Sequence, residues 1–155
     1  MKILAVQSRM GIGDTVIFLP FIKALSKKFN SPISILVKEN SKANQYLHQT
    51  KYIDKILTLE RDNKTNNRHG GFFGIFKLAN DLKKYKFDKI FIFNSSLRFN
   101  LVAKISGIPQ IYQYPLFTKY KQHIIETPKK FLKENLHLDV NEDPEVQIDS
   151  NLISK

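Results

Sequence analysis

Ser8–Pro20 reads SRMGIGDTVIFLP, a glycine turn set between an apolar run and an amphipathic stretch. Before it, Ile3, Leu4, Ala5 and Val6 form a short apolar run suited to a buried strand. From Val16 onward the apolar residues recur at helical spacing. Between the two lie Gly11 and Gly13, followed by Asp14 and Thr15. Glycine lets the chain turn sharply and lets another molecule approach the backbone closely. The start of a helix aims unpaired N–H groups and a partial positive charge at that turn. Strand, glycine turn and helix are how open α/β sheets place a site at the carboxyl edge of their strands. The functional site is expected here.

The turn excludes two common chemistries. No Lys-Ser or Lys-Thr follows the glycines, so it is not a Walker A loop. Val16 stands where a dinucleotide fingerprint has its third glycine. Asp14 occupies the place a pyrophosphate would take, and would repel it. Two roles stay open for this carboxylate: an N-cap, which aspartate fills well, or a general base.

The rest of the chain alternates strand and helix. Lys2–Val6 is the first expected strand and Thr15–Phe29 the first helix, with Ile17, Phe21, Ala24, Leu25 and Phe29 along one stripe. Ser31-Pro32 breaks it before a strand over Ile33–Val37. Asn40-Ser41 caps a short helix carrying Ala43, Tyr46 and Leu47, and Ile53–Leu59 is the third strand. Glu60–Gly71 (ERDNKTNNRHGG) is a long polar loop. A helix is expected over Phe72–Tyr85, with Phe73, Phe76, Leu78 and Leu82 inward. Ile90–Phe93 is an uninterrupted apolar strand, as in a parallel sheet covered on both faces. Asn94-Ser95-Ser96 turns into a helix of Leu97, Leu101, Val102 and Ile105 that ends at Gly107 and Pro109. Gln110–Gln113 is a strand, Tyr114–Tyr120 an aromatic, proline-bearing loop suited to stacking on a sugar or base or, more commonly, to edge packing, and Ile124–Leu136 a helix with an early boundary or kink at Pro128. An acidic linker over Asp139–Pro144 and a short strand over Glu145–Ile148 close the pattern.

Composition narrows the partners. The 155 residues suffice for one domain with a real core. There is no cysteine, so neither disulfides nor thiolate metal sites hold it together. No apolar run approaches the ~18 residues that span a bilayer, and the N-terminus does not read as a signal peptide. The net charge of +11 is concentrated in residues 61–123, which carry twelve Lys/Arg against three Asp/Glu. Such a balance favours an anionic partner: nucleic acid, a membrane surface or an acidic glycolipid. His48, His69, His123 and His137 are solitary in the sequence and receive no role. Arg98 falls in a first helical turn, where a cation opposes the helix dipole.

Two stretches carry a family resemblance. MKILAVQSRMGIGDTVIFLPFIKALSKKFNSPISILV, with Gly13-Asp14, Pro20 and Ala24-Leu25, resembles the N-terminus of glycosyltransferase family 9, the ADP-heptose:lipopolysaccharide heptosyltransferases. FDKIFIFNSSLRFNLVAKISGIPQIYQY resembles that family's second landmark, although Asn94-Ser95 replaces its commoner Gln-Gly. The likeness runs from Met1 to about Ile148 and is loose between Glu60 and Gly74.

The resemblance implies a Rossmann-like, doubly wound parallel α/β fold, the N-terminal, acceptor-binding half of a GT-B glycosyltransferase. Residues 1–138 would form that domain; 139–155 would be an acidic linker and the start of a C-terminal nucleotide-sugar-binding domain that the chain lacks. Asp14 would be the base of an inverting, metal-free transfer. Gly13 and Arg98 would meet the acceptor, with Arg9, Lys38, Arg61 and Lys64 added on charge and strand-edge placement. The donor, ADP-heptose by default, would bind the other half, so this half needs no cofactor. The acceptor would be the lipopolysaccharide inner core, in the cytoplasm and peripheral at the inner membrane. A non-catalytic flavodoxin-like module and a basic nucleic-acid-binding protein are the alternatives, though no recognised nucleic-acid motif occurs.

Overall fold

A computed structural model describes residues 1–8, 11–61, 67–116 and 124–146. Five strands form one parallel sheet: β1 (Ile3–Gln7), β2 (Ile33–Lys38), β3 (Ile53–Leu59), β4 (Lys89–Ile92) and β5 (Gln110–Gln113). Their order is β3-β2-β1-β4-β5. Helices α1 (Ile12–Phe29), α2 (Ala43–Tyr46), α3 (Gly71–Lys83), α4 (Leu97–Ile105) and α5 (Glu126–Leu136) connect or follow them. This is the expected doubly wound α/β fold. β1 pairs in parallel with both β2 and β4, so the winding reverses at its two edges. That reversal opens a crevice above the carboxyl ends of β1 and β4.

The period-2 alternation of the strands divides the core. Ile3, Ala5, Ile33, Ile35, Val37, Phe91 and Phe93 face α1, α2 and α5; Phe18, Phe21 and Leu25 of α1, Leu47 just after α2 and Leu132 of α5 complete that layer. Leu4, Val6, Leu36, Ile90 and Ile92 face α3 and α4, whose Leu78, Leu82, Phe99 and Val102 complete the other. All five residues of β1 are buried, as a central parallel strand requires. On the α5 side Phe91 stacks on Tyr112 with ring centres 4.7 Å apart, while Phe131 meets Phe93 and Tyr114 edge-on. Tyr114 thus packs at the sheet edge, as expected of the aromatic loop; Phe117–Tyr120 lie outside the described residues.

Three expectations need correction. Helix α1 begins at Ile12, not Thr15, because Gly11 adopts φ 97° and makes the bend by itself. Asp14 is therefore in the first turn and is not the N-cap; Gly11 is, and no side chain caps the helix. On α3 the inward residues are Gly74, Ile75, Leu78, Ala79 and Leu82, while Phe73 and Phe76 point outward. The physical reason is spacing: Ile75, Leu78, Ala79 and Leu82 make one i, i+3, i+4, i+7 stripe, and Phe73 and Phe76 fall on the far side of it.

The acidic stretch folds back along α1. Val140 is buried against the α1–α5 layer, and Glu142 pairs with Lys23 and Lys27, each at 2.9 Å. The hydrogen bonds from those two lysines hold the Glu142 carboxyl below its ordinary value. Burial, and then the charges of Glu145 and Glu142, push the neighbouring Tyr52 phenol up to about 12. Glu145 and Val146 are not in a strand, and residues 147–155 lie outside the described residues.

Candidate functional site

The bend after β1 is built by its glycine. At φ 97° a side chain on Gly11 would be strained. Thr15 is buried and donates its hydroxyl proton back to the Gly11 carbonyl at 3.2 Å, which fixes the first turn. Asp14 follows, half-buried, in the same turn. Among the described residues its carboxylate has no hydrogen bond and no ion pair. An anion in a first turn complements the helix dipole. Gly13 is exposed, and a Cβ built on it would meet nothing within 4 Å.

A chain of amides joins this bend to the β4 and β5 ends. Asn94 Nδ2 donates to Ser8 Oγ at 3.0 Å, across the point where the sheet order reverses. Asn94 Oδ1 accepts from the Ser96 N–H at 2.9 Å, which shapes the entry to α4. Gln113 Nε2 donates to the Ser96 carbonyl at 2.7 Å, and Asn100 Nδ2 donates to Gln113 Oε1 at 3.0 Å. Asn94, in place of the Gln-Gly turn of the resemblance, thus ties together the two strands that flank the crevice. Lys38 ends β2, and Arg61 lies two residues beyond β3; both are half-buried and sit on the same sheet edge as Asp14. Arg9 and Lys64 lie outside the described residues.

Arg98 is turned elsewhere. Its Nη1 donates to the Gly71 carbonyl at 2.7 Å, and Nη2 donates to the His69 carbonyl. The guanidinium fork therefore ties α4 to the loop that opens α3. The expected anion contact meets a side chain already engaged with two carbonyls. Gly74 lets this happen, since a Cβ there would collide with the His69 carbonyl and come within 2.8 Å of Arg98 Nη2.

His69, solitary in the sequence, has partners in space. It is 4% exposed. The Glu60 N–H donates to His69 Nδ1 at 3.0 Å, so the proton resides on Nε2, which donates to Asp81 Oδ2 at 2.8 Å. Arg68 Nη2 binds the other oxygen of Asp81 at 2.6 Å. With both ring nitrogens occupied, His69 has no lone pair for general-base work. It locks the end of β3 to α3. The separation of twelve residues, from a loop to the last turn of α3, matches no spacing that a sequence reading tests. Among the described residues no group of three or more His, Cys, Asp or Glu could hold a metal ion.

No family model and no curated protein sequence matches the chain. Solved structures do. The fold is similar to that of a family 9 glycosyltransferase from Veillonella parvula DSM 2008, with TM-score 0.70 and 17% identity over 97% of this chain and 46% of that one. It is similar to ADP-heptose lipopolysaccharide heptosyltransferase II of E. coli, with TM-score 0.63 and 16% identity over 99% of this chain and 49% of that one. It is also similar to the E. coli heptosyltransferase WaaC with ADP, with TM-score 0.54 and 11% identity over 92% of this chain and 49% of that one. The chain thus spans about half the length of these structures. Its fold is the Rossmann-like fold of their N-terminal half.

Proposed function

We propose that the chain is the acceptor-side half of an inverting sugar transferase that acts on an anionic glycolipid such as the lipopolysaccharide inner core. The observation that carries this reading is Asp14: a carboxylate in the first turn of α1, beside a bare Gly13, at the sheet's reversal point. The fold shared with two heptosyltransferases supports it.

In this mechanism Asp14 accepts the proton of the acceptor hydroxyl as its oxygen bonds to the anomeric carbon of the donor sugar. The bond to the nucleotide diphosphate breaks on the opposite face, and the diphosphate leaves with the electron pair. Configuration inverts, and the proton stays on Asp14. Lys38 and Arg61, at neighbouring strand ends, suit the phosphates or carboxylates of the acceptor; Arg9 and Lys64 belong to the same proposal by charge alone. The nucleotide of the donor, ADP by analogy with the neighbours, is assigned to the other half of a two-domain enzyme.

The test joins this chain to the remaining half of the Veillonella parvula protein and measures single-turnover transfer from ADP-heptose to a heptose-free glycolipid. Asp14→Asn keeps the size and polarity but cannot take a proton, so the rate should fall by roughly two to four orders of magnitude. A near-parental rate would remove Asp14 from the chemistry.

A further inference from the structure

Helix α5 ends by reversing the chain. His137 adopts the left-handed conformation at φ 55°, its N–H donates to the Lys133 carbonyl, and the Leu138 N–H donates to the Leu132 carbonyl. These bonds close the last turn and send the chain back towards α1. Residues 139–146 then run along α1 with neither helix nor strand. Pro144 has no N–H to donate and disfavours a helical Asp143, which suits a segment that leans on its side chains. Among the described residues, no backbone hydrogen bond joins residues 139–146 to the rest of the domain.

Side chains hold this segment in place. Lys133 Nζ donates to both oxygens of Asp139 at 2.8 Å, and Val140 is buried in the α1–α5 layer. Glu142 divides its carboxylate, Oε1 to Lys27 and Oε2 to Lys23, each at 2.9 Å. The two lysines are four residues apart, so they are neighbours on one face of α1 and a single carboxylate spans them. Val146 packs against the same layer, and the charge of Glu145 reaches Tyr52 and Lys23. The closure is incomplete. A cavity of about 380 Å³ lies between α1 and the segment, with Pro20, Ala24, Leu138 and Val140 as its apolar lining and Lys28 and Asn141 beside them. Native interiors leave few voids larger than a water molecule, so the segment spans α1 without packing into it. Its three ion pairs are accessible to solvent, weak singly and screened by salt.

We propose that residues 139–146 form a strap with two positions, closed on α1 by the Glu142 latch and open when that latch is screened or removed. Opening leaves the sheet, α1 and α5 intact, because the strap shares no backbone hydrogen bond with them among the described residues, and it uncovers Pro20 and Ala24 of α1. The strap rests on the sugar-transfer reading only for its purpose. In that reading it leads towards the other half, and α1 carries Asp14 in its first turn. The latch then sets the direction in which the chain leaves this half relative to the helix that holds the base.

The chain has no cysteine, so Lys28→Cys/Asn141→Cys places two spin labels across the cavity and leaves the latch residues untouched. Double electron–electron resonance on the labelled 155-residue chain should give a short distance at low salt, and about 1 M sodium chloride should add a longer one. In the same background Glu142→Gln should raise the open-to-closed ratio about three- to tenfold, the range for losing two solvent-accessible ion pairs. Glu142→Lys should raise it further, and adding Lys23→Glu/Lys27→Glu should restore the short distance. An unchanged melting curve, with amide exchange that quickens only over residues 139–146, identifies opening and not unfolding. A distance distribution indifferent to both salt and Glu142→Gln overturns the proposal. So does a strap that opens with Val140→Ser but not with Glu142→Gln, which would make it ordinary apolar packing, and so does a triple charge reversal that stays open. No donor or acceptor sugar enters these measurements, so their failure leaves sugar transfer standing, and failure of transfer leaves the strap standing.

Discussion

Gly13 and Gly74 are the same residue type within helices, yet the surroundings give them opposite meanings. Nothing lies within 4 Å of a Cβ built at Gly13, and its φ is not in the left-handed region, so the fold does not require glycine there. Gly13→Ala should therefore stabilise the chain, by about 0.5–1 kcal/mol, through better helix propensity. If the open space beside Asp14 receives the acceptor, the same methyl should weaken glycolipid binding. At Gly74 the methyl would run into the His69 carbonyl, and the α3 entry would have to move. Gly74→Ala should cost about 1–3 kcal/mol or more. Urea unfolding of both variants checks the contrast, and a loss of stability at Gly13 would mean that the bend is tighter than described. Asp14 belongs to this scale too. Since Gly11 and not Asp14 caps α1, Asp14→Asn removes only a dipole interaction, worth about 0.3–1 kcal/mol.

Elements were legible where one physical cause dominates. β3 and β5 have the boundaries read from the sequence, because the apolar residues of β3 give way to polar Glu60 and Arg61 and β5 lies between Gly107–Pro109 and Pro115. Helix α3 was legible in extent but not in orientation. Its five apolar or small inward residues include Gly74 and Ala79, which carry little hydrophobic weight, whereas the outward phenylalanines carry much. The site divides in the same way. Asp14 announces itself beside its glycines, but the Asn94–Ser8 and His69–Asp81 contacts join positions with no sequence signature. Arg98 was read as an anion holder on the α4 turn, and the geometry gives it two carbonyls of the α3 entry. These two uses predict different losses. If the guanidinium is a tie between elements, Arg98→Ala should lower stability by about 2 kcal/mol, the range for hydrogen bonds to a charged group. Arg98→Lys should recover little, because an ammonium lacks the planar fork that spans two carbonyls. An unchanged urea midpoint with weaker glycolipid binding would restore the anion role instead.

At the scale of the molecule, the two faces of the sheet are unlike. The α1–α5 face folds acidic residues 139–146 back onto its own lysines, whereas the α3–α4 face keeps exposed lysines beside apolar rings. The net charge of +11 is thus an uneven field and not a uniform coat. A uniform coat would bind any polyanion, DNA included, through counterion release with a steep salt dependence. The division of labour proposed for the two halves of a transferase predicts something narrower. The 155-residue chain should bind an inner-core glycolipid in detergent and should bind ADP no better than about 1 mM, because the nucleotide is assigned to the other half. Calorimetry with both ligands, at low and at physiological salt, is the measurement. Micromolar ADP affinity would place the donor on this half and reverse the proposed assignment. Equal retention on DNA and glycolipid, lost in parallel as salt rises, would reduce the charge to a nonspecific attraction. Glycolipid binding that persists at physiological salt, is weakened by Gly13→Ala and is indifferent to ADP would locate the acceptor at the crevice between β1 and β4.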